Sequence, residues 1–519
     1  MPLQSTIYTR RAVLTAGVAA AISCNRFSRR DRPNILFLLA DDLSWPHVSA
    51  AGSRMVRTPH FDRLAKEGVR FEHSFCASPS CTPSRSSILM GRHPWQCGEA
   101  GVLYGAIPTD YLLFPHLLAD AGYHVGWTGK GWSPGIWDAA GLKRHPLGRE
   151  YNHCLLNPPP HVALYNRDYA ANFAAFLSDR PAGAPFFFWL GSKEPHRAYE
   201  RGSGLRAGKR LDDAEVPPFL PDSEEVRGDL LDYALESEYF DTQIGRALAE
   251  LERIRELDRT LIVATSDNGM PFPRAKANLY DWGTRMPLAI RWGEQFQGSR
   301  VCCAFVSHTD FAPTFLQAAG LQVPPSMAGR SLLPLLPSQE ETGHDCAYTG
   351  MERHTMCRPN GATYPMRAIR TKDFLYIRNF APERWPAGGP DFVSSNKTFE
   401  GDVDEGPSKT YLIEEREKQP LLYELALGKR PAEELYDLSK DSHQMRNVAA
   451  ETAYAATKAA LKDRLDAYLQ QTGDPRIEGC DPWQSYIYRQ TDGYGASFNL
   501  SLSEEVRREA RERPTHKPE

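Results

Sequence analysis

The sequence predicts an α/β fold: a large, mostly parallel sheet sandwiched by helices. Two observations lead there. Short apolar runs lacking the alternation of a half-exposed strand recur at residues 34–40, 69–75, 123–128, 185–191 and 260–266. Strands buried on both faces belong to parallel sheets covered by helices. Between the runs fall amphipathic stretches at 59–67, 111–121, 168–178 and 224–251, which is the alternation of a strand–helix repeat. Composition agrees. Of 519 residues, 41% are apolar and 24% charged, which excludes chain-wide disorder and a polytopic membrane protein. A net charge of −4 gives no reason to expect nucleic acid as a partner. Ten cysteines include the vicinal Cys302-Cys303 but no C-x-x-C, so neither a zinc ribbon nor a thioredoxin motif is indicated.

Residues 1–31 read as an export signal. Arg10 and Arg11 precede an apolar run at 12–22, well short of the roughly 20 residues that span a bilayer. Paired arginines point to the twin-arginine route. Ala21-Ile22-Ser23-Cys24 is similar to a bacterial lipobox with alanine where leucine is usual, so membrane contact is expected only through a lipid anchor at Cys24. A disordered basic leader containing Arg26, Arg29, Arg30 and Arg32 fits the same residues. Export would place the protein in the periplasm, or lipid-anchored at the cell envelope, of a bacterium.

Each apolar run then ends on polar residues. Run 34–40 ends at Asp41-Asp42, and 69–75 leads to a loop carrying Cys81-Thr82-Pro83-Ser84-Arg85. Runs 123–128, 185–191 and 260–266 lead to Lys130, His196 and Asp267-Asn268. Parallel sheets bind ligands beyond the carboxyl ends of their strands, so the topology would gather these groups on one rim. Singly, each has an ordinary explanation: Asp41-Asp42 as a helix cap, Asp267-Asn268-Gly269 as a turn, the lysine and histidine as solvated groups. Jointly they suggest a site. Asp41, Asp42, Asp267 and Asn268 offer only oxygen, which suits a hard cation, Ca²⁺ or Mg²⁺, better than zinc. A divalent ion beside Arg85, Lys130 and Lys276 would hold a tetrahedral oxyanion. Pro83 fits the first turn of a helix, putting Cys81 just before a helix N-terminus, where the dipole favours anions.

Cys81-Thr82-Pro83-Ser84-Arg85, within SFCASPSCTPSRSSILMGR, resembles the signature of the type I (formylglycine-dependent) sulfatases of the alkaline phosphatase superfamily. RPNILFLLADD and VATSDNG are similar to that family's calcium-binding segments. The likeness continues through VSHTDFAPTFLQAAGL and RAIRTKDFLYIRN to ELYDLSKDSHQMRNVA, from about residue 32 to 450. DNGMPFPRAKANLYDWGTRMPL, with Glu194-Pro195-His196-Arg197, most resembles the heparan N-sulfatase (sulfamidase) branch and its bacterial relatives, Lys276 standing where sulfamidase has arginine.

The resemblance implies an alkaline-phosphatase-like catalytic domain over 32–360. It also implies a smaller α+β C-terminal subdomain and charged tail over 361–519, with a short antiparallel sheet and a terminal helix packed on the main domain. It further implies oxidation of Cys81 to formylglycine (3-oxoalanine) by a formylglycine-generating enzyme that meets the chain transiently. The hydrated aldehyde would attack sulfur. Asp41, Asp42, Asp267, Asn268 and the modified Cys81 would bind one Ca²⁺, and Arg85 would anchor the gem-diol. Lys130 and Lys276 would bind the sulfate oxygens, and His196 would protonate the leaving oxygen or nitrogen as general acid. The substrate so implied is a sulfated carbohydrate, such as N-sulfoglucosamine of heparan-type glycans.

One departure stands out. Many family members have a histidine two or three residues after the lysine, assigned as base in aldehyde regeneration. Thr128-Gly129-Lys130-Gly131-Trp132-Ser133-Pro134-Gly135 has none. Phosphodiester or phosphonate monoester hydrolysis by the same aldehyde, and a non-catalytic glycan-binding lipoprotein, are the alternatives. Trp132, Trp137 and Tyr280 fit either a sugar-stacking wall or loop packing. His47 fits either substrate contact or burial, and the other histidines fit loops or core. Residues 374–378 read as a strand, 381–408 as a long polar loop that could border the site, 451–471 as a helix and 501–519 as a solvated one.

Overall fold

The computed structural model describes residues 32–157, 163–296, 298–338, 344–394 and 398–486. The expected signal segment, Cys24 and the charged tail lie outside them. The larger sheet is ordered β4-β3-β5-β1-β6-β7-β2-β8. Its strands are β1 (Asn34–Ala40), β2 (Val69–Phe75), β3 (His124–Gly129), β4 (Arg149–Glu150), β5 (Phe186–Gly191), β6 (Thr260–Ser266), β7 (Leu288–Arg291) and β8 (Arg300–Ser307). Only β7 runs antiparallel to its neighbours; the remaining pairings are parallel.

Every residue of β1, β5 and β6 is buried, which is why they read as unbroken apolar runs. Side chains alternate between two cores: Ile35, Phe37 and Leu39 enter one, Leu36, Leu38 and Ala40 the other.

The helices of this domain are α1 (Pro59–Glu67), α2 (Cys81–Met90), α3 (Phe114–Asp120), α4 (Tyr169–Asp179), α5 (Ser203–Arg206), α6 (Glu224–Arg253), α7 (Asp281–Thr284) and α8 (Phe311–Ala318). Helices α2, α3 and α8 pack on the first core, through Ile88, Phe114 and Phe315 among others. Helices α1, α4 and α6 pack on the second through Phe61, Phe173 and Leu230. The Asp168 side chain caps α4 by accepting from the Ala171 amide, and Ser223 caps α6 by accepting from Val226. The helix expected over 111–121 begins only at Phe114: Pro115 occupies its first turn, where a missing N–H costs nothing.

The smaller sheet is antiparallel, ordered β12-β11-β10-β9, from β9 (Cys346–Met351), β10 (Met366–Thr371), β11 (Phe374–Asn379) and β12 (Glu433–Asp437). The C-terminal part also holds α9 (Pro407–Glu414) and α10 (Pro420–Leu427), which pack on each other, and α11 (Ala455–Gln471), which packs on the sheet. Leu461, Leu465 and Leu469 of α11 pack with Ile369 and Tyr376 of the sheet and with Trp95 of the larger domain. The expected antiparallel sheet and terminal helix are thus present. Among the described residues no helix is long and apolar enough to cross a membrane.

Register brings four strand ends level. Leu39 pairs with Gly191, Gly129 with Gly191 and Ala40 with Ser266. The residues that follow β1, β3, β5 and β6 therefore emerge side by side.

Candidate active site

Backbone hydrogen bonds continue the sheet just past its edge. Asp267 N–H donates to Ala40 O at 3.1 Å, Ser192 N–H to Leu39 O at 2.9 Å and Lys130 N–H to Gly191 O at 2.7 Å. Asp42 has φ 74°, in the left-handed region that favours glycine. Such strain persists where the surroundings over-determine it. Cys81 opens α2, with Ser80 extended at the cap position, so the helix starts one residue earlier than the sequence suggested and Pro83 lies within its first turn.

All nine candidate residues converge. Carboxylate oxygens of Asp41, Asp42 and Asp267 lie within 4.8 Å of one another. So do the Cys81 sulfur, an Asp41 oxygen and a His196 ring nitrogen. Arg85 donates from Nε to Asp267 Oδ2 at 2.7 Å and from Nη1 to the carbonyls of Lys130 and Gly131 at 2.9 and 2.8 Å. Its Nη2 reaches Asp41 Oδ1 at 3.4 Å. Lys130 Nζ donates to Asp41 Oδ2 at 2.5 Å, and Lys276 Nζ to Asp42 Oδ2 at 2.7 Å. Asn268 donates from Nδ2 to Asp42 Oδ1 at 2.6 Å, leaving its own Oδ1 buried with no hydrogen bond.

Electrostatics follows from this packing. Burial would lift Asp41, but Lys130, His196, Arg85 and Lys276 together hold it below the usual carboxylate range. Burial pushes Asp42 and Asp267 up, Lys276 opposing it at the first and Arg85 at the second. Burial, reinforced by Asp41, lifts the Cys81 thiol well above its ordinary value. His196 faces Asp42 at 3.8 Å through Nε2, while Nδ1 lies 2.5 Å from its own neighbour's carbonyl, Arg197 O. A carbonyl can only accept, so Nδ1 carries the proton and Nε2 is the atom free to gain or lose one. Burial, and then Lys276, bring His196 down to about 4.

The aromatic candidates behave differently. Trp132 is 2% exposed and donates to Ser86 Oγ, and Tyr280 is 3% exposed under the Arg274 guanidinium with its hydroxyl on Glu434. Neither can stack on a sugar. Trp137 is half-buried and meets His145 edge-on. His47 is 1% exposed, held by the Tyr233 hydroxyl and packed against Trp282, so it is a core residue rather than a substrate contact.

The structure adds groups that periodicity could not reveal. Asp404, from the long loop after β11, places Oδ2 3.1 Å from Lys276 Nζ. His354, following β9, bonds through Nδ1 with Ser80 Oγ at 2.8 Å, beside Cys81. Arg197 makes a two-pronged pair with Asp229 of α6 at 2.7 and 2.7 Å, and Asp229 in turn accepts from the amide and hydroxyl of Ser408. One carboxylate thereby ties the His196 turn to the Asp404 loop. Gly406 is needed for that closeness, since a Cβ there would lie 2.3 Å from Arg197 Nη1. Arg197 cannot swing aside without breaking the buried pair. Gly406→Ala should therefore cost about 3 kcal/mol, read as a lowered unfolding midpoint, and reduce kcat/KM by roughly tenfold.

The family model described as Sulfatase matches residues 33–321, and the model described as N-sulphoglucosamine sulphohydrolase, C-terminal, matches residues 274–385. An ulvan-active sulfatase of Formosa agariphila is 28% identical over 457 residues, covering 86% of this chain and 81% of that protein. The N-sulphoglucosamine sulphohydrolase of Homo sapiens is 28% identical over 506 residues, covering 87% and 93%. A protein solved in complex with its substrate D-glucosamine-2-N,6-O-disulfate shares the fold, with a TM-score of 0.62 at 22% identity over 87% of this chain and 100% of that one. The Sulfatase match takes in more than half of the chain and every strand end from Asp41 to the Lys276 loop, and on that ground the protein belongs to the sulfatase family and is an enzyme of it.

Proposed function

We propose that this sulfatase removes sulfate from a sulfated sugar, N-sulfoglucosamine of heparan-type glycans being the first to try, with a formylglycine made from Cys81 and one bound Ca²⁺. The observation that carries the reading is Cys81 at the head of α2, its sulfur within 4.8 Å of Asp41 and His196, with Lys130 on Asp41 and Lys276 on the adjoining Asp42. The choice of sugar is supported by the match to the sulphoglucosamine C-terminal model and by the human relative.

The residues present fit the ion. Three buried carboxylates in mutual contact repel one another, and a dication would relieve that repulsion. The unpartnered Asn268 Oδ1 supplies a fourth oxygen. Asp41, Asp42, Asp267 and Asn268, with an oxygen at residue 81, would hold Ca²⁺. Once present, ion and aldehyde would contribute a Lewis acid and an oxygen nucleophile, neither of which the buried thiol offers.

The chain's own groups do the rest. Arg85 fixes Asp267 and the Lys130 loop together. The Lys130 and Lys276 ammonium groups face the sulfate oxygens once their carboxylates turn to the cation. His196 moves a proton at Nε2 with its ring held by the Arg197 carbonyl. Burial and Lys276 keep it neutral near pH 7, so it is primed to accept, and the arriving negative charge would favour its protonated form. With Trp132 and Ser133 where many family members have a histidine, we assign the regenerating base to the same Nε2.

Steady-state rates on N-sulfoglucosamine, 4-nitrophenyl sulfate and bis(4-nitrophenyl) phosphate test the proposal. Sulfate release from the sugar is expected to dominate. Preference for the phosphate diester would move the reading to phosphohydrolysis, and inertness of the aldehyde-bearing, Ca²⁺-loaded protein would move it to glycan binding. Chelation should abolish turnover and lower the unfolding midpoint, and Ca²⁺ should restore both.

A further inference from the structure

We propose, resting on the sulfohydrolase reading above, that Asp404 determines specificity. Its carboxylate accepts from a hydrogen-bond donor, hydroxyl or amine, on the sugar position next to the one bearing sulfate. Asp404 Oδ2 pairs with Lys276 Nζ at 3.1 Å, and that buried oxygen makes no other hydrogen bond. Lys276 thus carries two carboxylates, Asp404 and, at 2.7 Å, Asp42. A second carboxylate beside an ammonium that is to hold sulfate works against the anion, since like charges at this range repel. The repulsion is offset when the substrate brings a donor between the two. At hydrogen-bond distance from a sulfate-binding ammonium, that donor belongs on the carbon adjacent to the sulfated one.

The loop is built to hold this carboxylate in place. Two residues before it, Asp402 accepts from both Nη atoms of Arg358 at 3.0 Å and from Thr355 N at 2.6 Å. Five residues after it, Lys409 Nζ, 3% exposed, donates to the carbonyls of Phe399, Glu400 and Val403. Locking both flanks of a carboxylate that pairs with Lys276 yet stays partly exposed suits recognition of a further group that the protein does not supply.

The test compares wild type with Asp404→Asn and Asp404→Ala, each checked for an unaltered unfolding profile. N-sulfoglucosamine and 4-nitrophenyl sulfate are the substrates, and inorganic sulfate binding is followed by calorimetry. The expected result is a fall of about 10- to 100-fold in the sugar-to-aryl ratio of kcat/KM, with several-fold tighter sulfate. A parallel loss on both substrates would assign Asp404 to Lys276 instead and overturn the proposal, as would an unchanged ratio. Sulfate binding no tighter than in wild type would overturn it too. Wild type inert toward both substrates would overturn the sulfohydrolase reading itself, an outcome distinct from those.

Discussion

Cys81→Ala will lower kcat/KM for sulfate hydrolysis by about 10⁴-fold or more while leaving the unfolding midpoint nearly unchanged. Stability changes little because the side chain is small and its one polar contact is weak, a thiol donating to Asp41 Oδ1 at 3.5 Å. Activity changes greatly because the site surrounds that one position. The sulfur shares a 4.8 Å neighbourhood with Asp41 and His196, and α2 directs its N-terminal amides toward the rim. As a thiol, the group is poorly suited to attack: burial and Asp41 push it well above its ordinary value, so almost no thiolate exists near neutral pH. Mass spectrometry of the peptide spanning Cys81, from protein of the native host, should show the –SH and one hydrogen replaced by a carbonyl oxygen. A fully active protein with an unmodified thiol would remove formylglycine from the reading. An active Cys81→Ala variant would remove residue 81 as the nucleophile.

How much of this was legible in the sequence depended on what each residue is buried against. Asn34–Ala40 and Thr260–Ser266 have no exposed face, so hydrophobicity alone delimits them. The groups after them, Asp41-Asp42 and Asp267-Asn268, follow from chain direction in a parallel sheet. Strands β4 and β7, at two and four residues, carry too little pattern to be read, and β7's reversed direction depends on tertiary pairing alone. Trp132 and Tyr280 show the opposite failure. An aromatic residue near a site has the same sequence signature whether it lines a cleft or, as here, is buried and hydrogen-bonded inside the core. Asp404 and His354 come from segments without periodicity in the C-terminal part of the chain. Their role depends on the docking of one subdomain on another, although the loop that carries Asp404 could be picked out as bordering the site.

Arg85→Met should be more damaging than loss of any other single ion-pairing residue at the site, in stability and activity together. The guanidinium is fully buried and joins Asp267, Asp41 and the Lys130 loop at once. Removing it strands two carboxylates without their shared partner and frees two carbonyls, which should cost about 3–5 kcal/mol. The loosened lysine loop should lower kcat/KM by about 10³-fold. Arg85→Lys keeps the charge but not the planar fork, so it cannot serve Asp267 and both carbonyls together and should recover only part of either loss. The pH dependence distinguishes a charge effect from simple cavity formation. In metal-free protein, burial already raises Asp267 to about 6 even with Arg85 opposing it. Without Arg85 it must rise further. A carboxylate whose folded pKa lies above its unfolded one favours folding in acid and loses that contribution as pH climbs through the folded value. In chelated protein the midpoint difference between wild type and Arg85→Met should therefore be smaller near pH 4, where Asp41 and the two carbonyls account for it, and widen toward pH 8. A difference independent of pH would mean that Arg85 stabilises the site through packing rather than through its charge.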